Sequence, residues 1–92
     1  MLGKLLFTDT TVPDYPGMIP TNSYYAVGIH KIRIHIELRF YDTPLISVYL
    51  LCIQLGWQFL FSSDKTSFGT QEDYQELIGV MLEQVVMLLD GE

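Results

Sequence analysis

Cations are scarce in this chain: five Lys and Arg stand against eleven Asp and Glu among 92 residues, a formal net charge of −6. Phosphate repels such a molecule at long range, which argues against generic DNA or RNA binding. There is one cysteine, Cys52, so no internal disulfide can form, and a chain of this kind suits a reducing cytoplasm. Cys52 lies in the apolar run 45–54 with no cation beside it to lower its pKa, and it reads as a packed, unreactive thiol. The seven glycines are scattered and build no phosphate cradle. No G-x-S-x-G elbow is present to expose a nucleophile. Long uninterrupted apolar runs are missing as well. The best candidate, Leu45 to Phe61, contains Ser47, Gln54, Gly56 and Gln58 and has no basic flank, so a membrane span is not expected. At the N-terminus, the apolar stretch Leu5-Leu6-Phe7 soon reaches Asp9, too short for a secretory signal.

What is present is greasy. Nearly half of the residues (49%) are apolar and 13% are aromatic, which excludes disorder. The length allows one domain and not two, and a domain this small hides only about 60% of its unfolded surface. Surplus apolar area on such a body marks a contact with a partner or with another copy.

Period-two alternation is the clearest local signal. Ile32, Ile34, Ile36, Leu38 and Phe40 alternate with Lys31, Arg33, His35, Glu37, Arg39 and Tyr41, which predicts a strand with one buried and one wet face. Tyr25, Val27 and Ile29 have the opposite parity. Because Gly28-Ile29-His30-Lys31 lacks an Asn-Gly or Asp-Gly turn, the expectation is a bulge within one long bent strand, with a loose hairpin as the alternative. A first strand is expected over 4–8 and a Pro-rich loop or arm over 9–22. Residues 44–55 carry helix signals (Thr43, Pro44, Gly56) and strand signals (Ile46, Val48, Tyr49, Ile53). An antiparallel return is favoured, because a short turn follows a strong strand. Trp57, Phe59 and Phe61 alternate as another strand.

Over 70–90 the spacing predicts an amphipathic helix capped by Thr70 and stopped by Gly91. Its predicted buried stripe is Tyr74, Leu77, Ile78, Met81, Val85 and Leu88. Glu72, Glu76, Glu83 and Asp90 fall within about 40° of one another on the opposite side, with Gly79 as a notch among them. Residues 64–92 hold all of the net charge.

The expected architecture is therefore α+β: one domain spanning 1–92, with an antiparallel sheet of three to five strands and the C-terminal helix on one face, against Ile32, Ile34, Ile36, Leu38 and Phe40. The expected function is non-enzymatic and needs no cofactor. The chain would be a stoichiometric inhibitor or adaptor that blocks a basic surface, such as a nucleic-acid-binding one, on a partner protein. Small phage anti-defence proteins of the anti-CRISPR kind and toxin-immunity partners use chains of this size and charge. Its predicted contacts are Glu72, Glu76, Glu83 and Asp90, with Tyr15, Tyr24, Tyr25 and Trp57 as aromatic anchors. An alternative basic face, Lys31, Arg33, His35, Arg39 and Tyr41, would instead meet RNA, DNA or an acidic patch on a protein. A structural homo-oligomer is the remaining alternative. No metal is expected, since His30 and His35 lack a clear third ligand.

Overall fold

The computed structural model describes residues 3–11, 20–38, 44–64 and 71–90. Five strands precede one helix: β1 (Lys4–Thr11), β2 (Pro20–Val27), β3 (His30–Leu38), β4 (Pro44–Cys52), β5 (Gly56–Asp64) and α1 (Gln71–Asp90). All neighbouring strands pair antiparallel in the order β1-β2-β3-β4-β5. The sheet is thus a simple meander with β1 and β5 as its edges. The α+β expectation is met, with the maximum number of strands anticipated.

Alternation in β3 places Ile32, Ile34 and Ile36 on the inner face, where they are nearly fully buried. Their cross-strand partners continue that layer: Tyr25 opposite Ile32, Val48 opposite Ile34, Ile46 opposite Ile36. The helix closes over it with Tyr74, Ile78, Met81, Leu82 and Val85, forming one core with the sheet residues. The predicted helix stripe needs two corrections. Leu82 is fully buried, whereas Leu88 is 49% exposed, because the flank of α1 that bears Leu88 lies over the β5 edge, where the sheet no longer covers it. Leu77 is half-buried. The side chain of Leu38, and Phe40, Thr70 and Gly91, lie outside the described residues.

Three local features depart from the simple alternation: a hairpin between β2 and β3, a bulge in β5, and a bulge at Leu6 in β1, where Leu5 pairs with Tyr25 but Phe7 with Tyr24. Residues 20–38 form a tight hairpin rather than one bulged strand: Val27 pairs with His30 across the two-residue loop Gly28-Ile29. Gly28 supplies the φ of +61° that such a loop demands at its first position. A lone Gly is sufficient there, so the missing Asn or Asp misleads. The second departure is in β5, where Val48 pairs with Phe61 but Tyr49 pairs with Phe59, leaving Leu60 as an inserted residue. This bulge sends Phe61 inward and Trp57 and Phe59 outward, although strict alternation would put all three rings on one face.

Residues 44–52 are strand, as favoured. Gly56, with φ of +78°, closes the three-residue loop Ile53-Gln54-Leu55 between β4 and β5, so it ends a hairpin and not a helix. Gln58 Nε2 donates to the carbonyl of Leu55 at 3.0 Å and braces that loop. β1 runs three residues past its expected end at Thr8, and β2 begins at Pro20, so the two ends of the expected 9–22 loop are strand, and residues 12–19 lie outside the described ones.

Candidate functional site

Register alone builds the outer face, which is the side of the sheet away from α1. Phe7 pairs with Tyr24, Tyr24 with Arg33, Arg33 with Tyr49, and Tyr49 with Phe59. One row therefore crosses all five strands with an arginine at its centre and two aromatic rings on either side. Neighbouring strands lie about 4.8 Å apart, so these side chains must touch. Phe7 stacks on Tyr24 with ring centres 4.2 Å apart and planes 19° apart. Tyr49 meets Phe59 edge-on at 5.8 Å. The Arg33 guanidinium lies 4.4 Å from the Tyr49 ring centre and 5.4 Å from that of Trp57, and Trp57 also leans towards Tyr24 at 5.8 Å. Each cation–ring contact is worth about 0.5–1 kcal/mol at a partly exposed site.

This packing encloses Arg33 Nε, which makes no hydrogen bond among the described residues. An enclosed donor without an acceptor costs about 1–3 kcal/mol. The row's ends stay open: Phe7 is 57% and Phe59 59% exposed. Polar neighbours hold the row in place. Tyr24 donates its hydroxyl to Asp9 Oδ2 at 3.2 Å, and His35 donates from Nδ1 to Asn22 Oδ1 at 2.8 Å.

Of the aromatic anchors expected from the sequence, Tyr24 and Trp57 belong to this face. Tyr25 does not: it is 4% exposed in the core, because adjacent residues of a strand point to opposite faces. Burial pushes its phenol up to about 12, with the nearby Tyr74 adding to the shift and the Ser23 hydrogen bond opposing it. Tyr74 is raised for the same first reason, burial, and its hydroxyl lies 3.2 Å from Ser23 Oγ. Tyr15, Arg39 and Tyr41 lie outside the described residues. Lys31, Arg33 and His35 share the outer face through their register, as the basic-face alternative requires. His30 has the opposite parity and faces the helix side, so the two histidines are not brought together. Among the described residues no group of three or more His, Cys, Asp or Glu is placed to hold a metal ion, and no helix is long and apolar enough to cross a membrane.

Glu72, Glu76, Glu83 and Asp90 are all exposed on α1, which has no basic residue in its last turn. Among the described residues no Lys, Arg or His lies within ion-pair distance of these four. Glu72, Glu76 and Glu83 lie on the side of α1 opposite its buried stripe, whereas Asp90 borders the β2–β3 hairpin in a recess shared with Gly28 and His30. The acidic line and the aromatic row occupy opposite sides of the molecule. The two halves of the predicted contact surface are therefore not one surface.

The signal for the row was the hairpin: reading Gly28-Ile29 as a two-residue loop puts Tyr24 opposite Arg33 at once. Comparison with protein families, curated proteins and solved structures finds no match.

Proposed function

We propose that the chain is a non-enzymatic protein-binding module, acting as an adaptor or stoichiometric inhibitor, that docks its partner on the outer sheet face. The observation behind this reading is the cross-strand row Phe7–Tyr24–Arg33–Tyr49–Phe59 with Trp57 beside it. Tyr, Trp and Arg dominate binding hot spots, and here they are pre-ordered by a rigid sheet, which lowers the entropy cost of docking. The enclosed Arg33 Nε leaves the guanidinium stacked and fixed in orientation, suited to an acceptor on the partner. A protein is favoured over nucleic acid by charge. Register assigns Lys4, Lys31 and Arg33 to this face, but also Asp9, Glu37 and Asp64, so among the described residues it offers a phosphate chain no surplus cation.

A second reading keeps the acidic helix as the site and a basic surface as its target. The observation favouring it is that Glu72, Glu76, Glu83 and Asp90 are exposed and unpaired among the described residues. One comparative capture experiment separates the readings. Binding lost with Trp57→Ala and Phe59→Ala, by roughly thirtyfold for a 2 kcal/mol anchor, but kept with Glu76→Lys/Glu83→Lys, supports the sheet face. The reverse pattern supports the helix. Retention of single-stranded RNA at low salt, abolished by Lys31→Glu, would replace both with a nucleic-acid reading.

A further inference from the structure

We propose that the partner segment held by the outer sheet face is a short, extended acidic one, with carboxylates at alternate positions that meet Arg33 and Lys31. This rests on the outer-face docking reading and names the chemistry of what docks there. Charges on that face are balanced in number but divided in space. On one side of the central row, register sets Lys4 opposite Ala26 and Ala26 opposite Lys31. The acids lie on the other side. Asp9 is opposite Asn22, next to His35, and one row further Glu37, Leu45 and Asp64 stand in line. Lys4, Lys31 and Arg33 thus share one half of the face, where register places no acid among the described residues.

None of these three cations forms an ion pair among the described residues. Asp9, the acid in the adjacent row, is already engaged by the Tyr24 hydroxyl. Arg33 is the centre of the site. Tyr49 and Trp57 hold its guanidinium, with ring centres 4.4 Å and 5.4 Å away. Nε is its one nitrogen enclosed without a partner, which leaves the Nη groups to grip a carboxylate as a fork. Because the rings already fix the side chain, little further ordering is needed when that carboxylate arrives.

Spacing supplies the pattern. Lys31 and Arg33 are two residues apart on β3, so their side chains leave the sheet about 7 Å from each other. An extended partner segment repeats its side chains on one face at that same interval, and extended chains packed face to face align within about 30°. A segment reading Glu-x-Glu, lying along β3, therefore sets one carboxylate on each cation. Leu51 and Phe59, 42% and 59% exposed, border the contact and favour apolar side chains on the same face of the segment. A phosphate chain fits less well. One long enough to cross the sheet also passes Asp9, Glu37 and Asp64, and its many charges meet a molecule of net charge −6. Two carboxylates confined to the cationic half meet far less repulsion.

Trp57 is the chain's one tryptophan and borders Arg33, so its fluorescence reports occupancy. The probes are the blocked peptide Leu-Ser-Glu-Ser-Glu-Ser-Leu and its counterparts with glutamine or lysine for glutamate, titrated into the full chain at low salt. The glutamate peptide should shift Trp57 emission in the millimolar range or below, the glutamine peptide should bind more weakly by about tenfold, and the lysine peptide should not bind. Lys31→Glu, at an exposed position, should cost the glutamate peptide about tenfold. Arg33→Lys keeps the charge but loses the fork and should weaken it as well. No response to the glutamate peptide, an equal response to the glutamine peptide, a preference for the lysine peptide, or tighter binding of oligouridylate would each overturn the proposal. Protein capture separates this from the reading beneath it. Capture that needs Trp57 and Phe59 but ignores Lys31→Glu overturns the acidic segment alone, whereas capture indifferent to Trp57→Ala and Phe59→Ala overturns the docking face itself.

Discussion

Raising the pH past 10 should destabilise this protein through its buried phenols, Tyr25 foremost. Tyr25 titrates at about 12 in the folded chain against an ordinary value of 10.0. The unfolded chain thus loses this proton first. Ionisation then favours unfolding, so the Tyr25 contribution is complete below pH 10 and is lost as pH climbs from 10 through 12. A gap of two pKa units corresponds to roughly 2–3 kcal/mol. In a domain with a total of about 5–15 kcal/mol, that lowers the melting temperature by roughly 10–20 °C, at about 4–8 °C per kcal/mol. Other groups ionise in the same range, so the informative quantity is a difference. Thermal melts of the native chain and Tyr25→Phe, followed by circular dichroism from pH 8 to 12, isolate it. The substitution also removes a hydrogen bond to Ser23, but that shifts the curve by a constant; the slope above pH 10 is what should flatten. Parallel slopes for the two proteins would refute the reasoning, because Tyr25 would then titrate alike in both states.

Leu82→Ala empties a site that is fully buried between helix and sheet and should cost about 3–5 kcal/mol by urea titration. Ile36→Asp places a charge 2% exposed in the core; no cooperative transition should survive, because an unpaired buried charge exceeds what so small a domain can lose. Gly79→Ala works in the other direction. A Cβ there meets nothing within 4 Å, so helix propensity alone acts, and stability should rise by about 0.5–1 kcal/mol.

Elements whose signals are local could be read from the chain. The alternation of β3, the 3.6-residue period of α1 and the return of β4 each depend on residues within a few positions of one another. Tyr25 shows where that stops. A Tyr beside a Tyr gives no hint of which one is buried until strand parity is fixed by the Gly28-Ile29 loop. The Leu60 bulge is a similar case, since nothing in Trp-Gln-Phe-Leu-Phe marks the inserted residue; it is defined by β4 on the other side. The aromatic row is the most remote from sequence, as its five members lie on five strands. The acidic line, confined to one helix, was legible in full.

Because anions gather on α1, while on the far side of the sheet Lys4, Lys31 and Arg33 are balanced by Asp9, Glu37 and Asp64, the molecule has a built-in electric axis. In front of any positively charged support it will turn helix-down before it lands. Adsorption would therefore leave the ring-lined side displayed to solution, ready to be probed while the other side is held.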